Sequence, residues 1–217
     1  MPPAYVKRRK TDAADAEAIC EAVARPTMRF VAVKTVEQQA VLMLHKSRDR
    51  MVRQQTMLIN ALRGHLAEYG IVTGVGTGGA TAMLKALHER QEDLPVHARS
   101  ALHGLAAQLR ALASEIDRLE GQILAWHQAD ETSRRLATIP GIDPIAASAI
   151  SAAVPDASLF RSGRQFAAWL GLTPRANISG GKERLGGITK QGDGYLRRLL
   201  VVGATAVMRM TRKNPDR

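Results

Sequence analysis

The sequence holds a single cysteine, Cys20, in 217 residues. That excludes an internal disulfide framework and a cysteine-rich zinc site. Aromatic residues make up only 4% of the chain. The longest clean apolar stretch, Leu199 to Met208, has ten residues, half of what a bilayer crossing requires. The N-terminus reads as polar and basic, unlike a signal peptide. A cytoplasmic setting is the expectation. Acidic residues are scarce in one region: residues 134–217 hold 14 Lys+Arg against five Asp+Glu, whereas residues 1–133 hold 17 against 15. The net charge of +11 is therefore concentrated in the C-terminal third. Such an imbalance suggests an anionic partner, most often nucleic acid, bound there. A solvated basic face without a partner is the alternative.

What is present is mainly helical pattern. At 45% hydrophobic the chain is too apolar to stay disordered. Thr11-Asp12 reads as an N-cap and first turn, and Ala-rich residues 13–24 as a helix stopped near Pro26. Residues 28–33 read as an extended link. A long helix is predicted from about 36 to 69, ended by Gly70, with Val41, Leu44, Met51, Leu58 and Leu62 at seam positions and Arg48 and Gln55 as polar interruptions. In the next long helix Leu102, Leu105, Leu109, Leu112, Ile116, Leu119, Ile123 and Trp126 alternate steps of three and four. That strict seam calls for a partner helix. Residues 36–128 thus predict an antiparallel coiled-coil arm, able to serve in dimerisation; a four-helix bundle core is the alternative. Gly74-Val75-Gly76-Thr77-Gly78-Gly79 matches G-x-G-x-x-G formally, but helices rather than strands flank it, so a hairpin tip is predicted in place of a dinucleotide site. The six histidines show no metal-ligand spacing and read as solvated or packed.

The C-terminal segment begins with Ile139-Pro140-Gly141-Ile142, a tight turn between two helices, the second starting near Asp143-Pro144. This resembles a helix-hairpin-helix, whose turn amides hold a DNA phosphate. Asp143 stands where a second turn glycine is usual, so a purely structural helical hairpin is equally open. A short helix from Ser162 or Gly163 carries Phe166, Trp169 and Leu170 and stops at Gly171. Residues 177–188 contain four glycines among Lys and Arg, which predicts a loop able to approach a ligand closely. The final helix is predicted over about 192–212.

Two constellations carry candidate chemistry. Ser179 precedes Gly180-Gly181 and is surrounded in sequence by Arg175, Lys182, Arg184 and Lys190, with Arg197 and Arg198 on the last helix. No histidine lies in this segment, which excludes a Ser-His-Asp hydrolase within it. Guanidinium groups can orient a phosphodiester and stabilise its developing charge during attack by a serine. Ser179 as a plain turn residue is the alternative. Asp12 and Asp15, three apart, share a helix face. Two hard carboxylates there can contribute to a Mg²⁺ site, although an N-terminal turn explains the same acids.

Taken in order, KTDAADA, the long helical arm, IPGI, FRSGRQFAAWLGLTPR and SGGKERLGGITKQGDGYLRRLL resemble the DEDD-type insertion-sequence transposases, also described as bridge-RNA-guided serine recombinases. The resemblance covers essentially the whole chain. It implies a mostly α fold: a RuvC-like terminal helix (residues 1–33), a coiled-coil arm (34–130), and a helical C-terminal transposase domain with a helix-hairpin-helix-like motif (131–217). It implies an Asp-Glu-Asp-Asp site for Mg²⁺, with Asp12 and Asp15 as the last two acids, and Ser179 as the nucleophile. By charge and position, Arg175, Lys182, Arg184, Lys190, Arg197 and Arg198 form the phosphate-binding set. DNA, a guide RNA and a dimeric or tetrameric assembly are the implied partners.

The sequence departs from that pattern at its start, where the first Asp and the Glu are missing. A truncated reading frame, a remnant or a fragment is the expectation, inactive alone. Thr189 and Gly194 stand where the family pattern has Ser and Arg. The rival reading is a non-catalytic DNA- or RNA-binding or dimerisation module derived from a transposase.

Overall fold

The computed structural model describes residues 11–26, 28, 32–76, 78–179 and 182–213, with side chains for all of these but 176–179, 182, 183 and 213. The chain forms two compact units, Met1–Val33 and Lys34–Arg217. The described residues are mostly helical, as the periodicity predicts. The first unit contains α1 (Asp12–Ala24), begun by Thr11, whose side chain accepts from the Ala14 N–H at 3.3 Å. Residues 29–31 of the predicted link over 28–33 lie outside the described residues.

The second unit opens with α2 (Val36–Glu68). Thr35 and Gln38 form a reciprocal capping box at its start. Its end is a Schellman turn. Gly70, at φ +70°, donates to Ala67 O, and Ile71 donates to Leu66 O. Leu66 and Ile71 then meet in the core, so the cap also sets where the chain re-enters. The helices α3 (Gly79–Glu89) and α4 (Val96–Ala129) follow. Gly76 and Gly78 lie between α2 and α3, with no strand before Gly74 among the described residues.

The α2–α4 pair runs antiparallel. Trp126 Nε1 donates to Glu37 Oε1 at one end (3.2 Å), Arg48 Nε donates to Glu120 Oε1 further along (2.7 Å), and Leu62 and Leu66 share a core with Leu102, Ala106 and Leu109 at the other end. Met83 and Leu87 of α3 and Leu94 close that end. In α4 the predicted seam residues Leu102, Leu109, Ile116, Leu119 and Ile123 are buried. In α2 the seam is looser: Leu44, Met51 and Leu58 are only half-buried, and His45 takes a fully buried position. Arg48, read as an interruption, is matched by Glu120 across the pair.

After α5 (Glu131–Leu136) the chain turns through Pro140-Gly141 into α6 (Pro144–Ala153). Ile142 N–H bonds Ile139 O at 3.0 Å, and Gly141 sits at φ +87°, the pattern of a type II turn. The small side chains of α6 bury every residue from Ala146 to Ala153, so neighbouring helices approach its backbone closely. Then come α7 (Gly163–Trp169), β1 (Pro174–Ser179), β2 (Lys182–Ile188) and α8 (Gly194–Lys213). A second core joins α6, α7 and α8 through Ala149, Ile150, Ala153, Leu170 and Leu196.

One sequence expectation is corrected here. The glycine-rich segment 177–188 is not a loop but most of an antiparallel β-hairpin. Pairing of β1 with β2 satisfies the backbone that a loop would leave to solvent. The signal was present: Gly-Gly flanked by extended residues is hairpin chemistry, and counting glycines obscured it.

Candidate nucleic-acid interface

The hairpin is mounted on a rigid base. The helix α7 starts at Ser162, whose Oγ accepts from Gln165 N–H at 3.3 Å, and ends in a second Schellman turn at Gly171, φ +71°. A Cβ on Gly171 would lie 2.5 Å from Gln191 N, and one on Gly192 would lie 2.1 Å from Trp169 O. Only glycine allows the two backbones to touch so closely. Thr189 N–H donates to Thr173 O (2.9 Å) and Lys190 N–H to Gly171 O (3.0 Å), which brings the exit of β2 back against its entry. Lys190 itself sits at φ +58°, a conformation unusual for a side-chain-bearing residue and held here by these contacts.

In the hairpin register Ser179 pairs with Lys182, Ile178 with Glu183 and Asn177 with Arg184, with an irregularity between Pro174 and Ala176. Ser179 is thus the last residue of β1. Its side chain, that of Lys182, and residues 180 and 181 lie outside the described residues. Arg184 and Lys190 are exposed, with no acidic partner among the described residues. Arg175 is exposed and donates from one Nη to Thr189 O at 3.1 Å.

Three acids of this region, those with described side chains, are committed elsewhere. Asp143 Oδ1 accepts from Ala146 N–H (2.7 Å), Asp156 holds Ser158, and Asp193 Oδ1 accepts from Tyr195 N–H (2.7 Å). Bonds from Ser158 lower the Asp156 pKa below the ordinary carboxylate value. Capping and local turns use these three carboxylates.

Arg197 and Arg198 differ from expectation. Arg197 donates from one Nη to Leu170 O at 2.7 Å and to Gly192 O at 3.5 Å. It therefore clamps the end of α7 to the segment leaving the hairpin. Arg198 pairs with Asp49 of α2 and lies 5.5 Å from the centre of the Tyr195 ring. Arg197 is thus engaged within the fold, while Arg198, although paired, keeps 45% of its side chain exposed.

The Pro140-Gly141 turn is likewise occupied. The Asp143 carboxylate takes the Ala146 amide that a helix-hairpin-helix would turn to phosphate. Gly141 rests on Gly203 of α8: a Cβ on Gly203 would lie 1.8 Å from Gly141 O. This arrangement matches the structural helical hairpin of the two readings.

Sequence reasoning missed His45. It is fully buried, with Nδ1 3.1 Å from Tyr195 Oη and Nε2 3.2 Å from Ser148 Oγ. Ser148 donates to Pro144 O at 2.7 Å, so its oxygen receives the Nε2 proton while Tyr195 donates to Nδ1. The pair has the composition of a Ser-His dyad but is sealed, and it joins α2, α6 and α8. Burial and nearby Arg48 lower the His45 pKa to about 4; burial raises the Tyr195 phenol. The only sequence sign was a histidine one step off the α2 seam.

Asp12 and Asp15 lie in the first turn of α1, in the first unit, and both are exposed. Among the described residues no group of three His, Cys, Asp or Glu could hold a metal ion. These two acids fit part of a Mg²⁺ site but do not make a complete one.

Comparison with known proteins identifies the lineage. Residues 133–217 match the transposase IS116/IS110/IS902 family, and residues 1–71 match the DEDD-type IS110 transposase model. The chain belongs to the IS110/IS116 transposase family. A putative transposase of Sinorhizobium fredii, y4pF/y4sB, is 49% identical over 215 residues, covering 98% of this chain and 55% of that protein. A probable family 20 transposase of Pseudomonas aeruginosa is 48% identical over 214 residues, covering 98% and 63%. The transposase for insertion sequence element IS1111A of Coxiella burnetii is 38% identical over 224 residues, covering 98% and 59%. The chain thus spans between 55% and 63% of the length of these relatives. No helix among its described residues is long and apolar enough to cross a membrane.

In this transposase-family chain the hairpin, its glycine base and the Arg197 clamp all fall within the C-terminal family match. Arg197→Gln is expected to lower stability by about 2 kcal/mol, through loss of charge-assisted bonds to main-chain carbonyls. Thermal unfolding followed by circular dichroism checks this; an unchanged melting temperature would contradict the clamp.

Proposed function

We propose that this chain carries the strand-handling part of an insertion-sequence transposase, with DNA as its substrate and Ser179 as the nucleophile. The observation that supports this most directly is the β-hairpin register, which sets Ser179 opposite Lys182 at the end of the strands. Exposed Arg175, Arg184 and Lys190 accompany it, and Asp143 and Asp193 are spent on helix caps. In the proposed step the serine oxygen attacks a backbone phosphorus. An Oγ–P bond forms as the bond to the adjoining nucleotide's oxygen breaks, and the proton released by the serine hydroxyl ends, by way of solvent, on that leaving oxygen. Lysine and arginine stabilise the charge that develops on the phosphate. The resulting ester keeps the bond energy for rejoining to a second strand.

Asp12 and Asp15 would supply two carboxylates to a Mg²⁺ ion, whose role in phosphoryl chemistry is to polarise phosphate oxygens. Because the described residues provide no third ligand, we propose that the chain alone binds DNA without completing transposition. The family resemblance further suggests a guide RNA and an assembly of several copies.

The test mixes the chain with a full-length family transposase and labelled donor and target DNA. Ser179→Ala in both proteins is expected to abolish strand cleavage while changing DNA affinity less than about twofold, because a hydroxyl contributes little beside the cations. Unchanged cleavage would remove Ser179 from this role. Salt-dependent binding with no cleavage by any combination would favour the non-catalytic module.

A further inference from the structure

Three of the eight aromatic side chains of this sequence fall within residues 160–169. Phe160 meets Phe166 edge-on at 5.2 Å and Trp169 at 5.5 Å between ring centres, and Phe166 stacks on Trp169 at 5.8 Å and 22°. Phe166 and Trp169 rest on the buried core around Leu170 and Leu196, yet all three rings are only half-buried. Leu159 beside them is 41% exposed. A cluster wanted only for packing would be expected to lie deeper in a chain so poor in aromatics.

Its borders are cationic. Arg161 and Arg164 are exposed, and neither has an acidic partner among the described residues. Asp156, the nearest acid in sequence, is tied to Ser158 N–H at 2.8 Å and Ser158 Oγ at 2.7 Å. Partly exposed rings, next in sequence to two exposed arginines with no acidic partner among the described residues, fit a polyanion that also offers flat rings. A single-stranded nucleic acid does so; a duplex hides its base faces and offers mainly phosphate.

We propose that Phe160, Phe166 and Trp169, flanked by Arg161 and Arg164, form a stacking platform for a single nucleic-acid strand. The proposal rests on the reading that the partner is nucleic acid, but not on Ser179. Its readout is binding without cleavage, so either can fail while the other stands.

Trp126 and Trp169 are the two tryptophans, so Trp126→Phe in the whole chain leaves Trp169 as sole reporter. This protein is titrated with a short oligothymidylate, an oligouridylate of the same length and a blunt DNA duplex. Both single strands are expected to quench Trp169, and the stronger of the two indicates whether DNA or RNA is preferred. Phe160→Ala should weaken single-strand binding about tenfold, consistent with loss of one stacked base. Phe160→Trp should restore it, and duplex affinity should stay unchanged. Arg161→Gln with Arg164→Gln should reduce the single-strand salt slope by one to two units, which tests the surface even if Phe160→Ala misfolds. Absence of quenching, or equal loss of single-strand and duplex binding in Phe160→Ala, would overturn the platform. So would an unchanged slope in the double arginine variant.

Discussion

Gly203→Ala is expected to destabilise the protein by about 3 kcal/mol and lower its melting temperature by about 10 °C, a scale typical of steric conflict in a packed interior. Helix propensity alone gives the opposite sign. Alanine inside a helix is favoured over glycine by about 1 kcal/mol, and Gly203 lies well within α8. The decisive fact is the neighbour: the added Cβ would sit 1.8 Å from Gly141 O and 2.9 Å from Gly141 C. Those are main-chain atoms of a turn that cannot rotate aside as a side chain does. Gly141 already holds φ +87°, and its own Cβ position is closed by Gly203 O at 2.9 Å. To admit the methyl group α8 must withdraw from the turn, opening the contact that carries Leu196 into the second core. Thermal unfolding followed by circular dichroism checks the sign; a variant as stable as the parent, or more so, would refute the close contact.

The second large effect is a loss of stability on mild acidification. Buried His45 has its pKa lowered to about 4, against an ordinary value of 6.5. Above pH 6.5 the imidazole is neutral whether the chain is folded or unfolded, and it makes no contribution to pH dependence. As pH falls from 6.5 toward 4 the unfolded chain takes up a proton that the folded protein refuses. Stability therefore drops with falling pH in that window, and the drop levels off below about pH 4. The gap corresponds to about 3 kcal/mol. The reason is burial first, which strips water from the charged form, and then Arg48, which repels a second positive charge. Urea unfolding at pH 7, 5.5 and 4.5 measures the slope. His45→Asn, which cannot titrate, should flatten it, whatever its effect on absolute stability. A parent and variant with the same pH slope would contradict this account.

The helical elements were legible because their signals are local and redundant. Thr11, Thr35, Asp143 and Ser162 mark helix starts, Gly70 and Gly171 mark stops, and the α4 seam from Leu102 to Ile123 announces a partner. The partner seam in α2 was harder to read. Buried His45 lies one step off that seam, and its significance lies with Ser148 and Tyr195, more than 100 residues away. The hairpin is less legible because four glycines within residues 177–188 suggest a loop until the pairing of β1 with β2 is seen. Arg197 and Arg198 looked like phosphate ligands for a similar reason. Charge is visible in a sequence, whereas the Leu170 carbonyl and the Asp49 carboxylate that engage it are not. Gly203 carried no sign at all, since its role depends on which turn crosses α8. Family membership came from ordered motifs rather than composition, and it locates the candidate serine without describing its surroundings.

The most direct test of the central proposal is peptide mapping of a trapped protein–DNA adduct. Trypsin cuts after Arg175 and Lys182, so Ser179 falls in the peptide of residues 176–182. When a full-length partner and donor DNA are quenched with denaturant during reaction, mass spectrometry should find a nucleotide attached to that peptide from this chain. A nucleotide on any other peptide, or rapid cleavage with no covalent adduct, would contradict attack by Ser179.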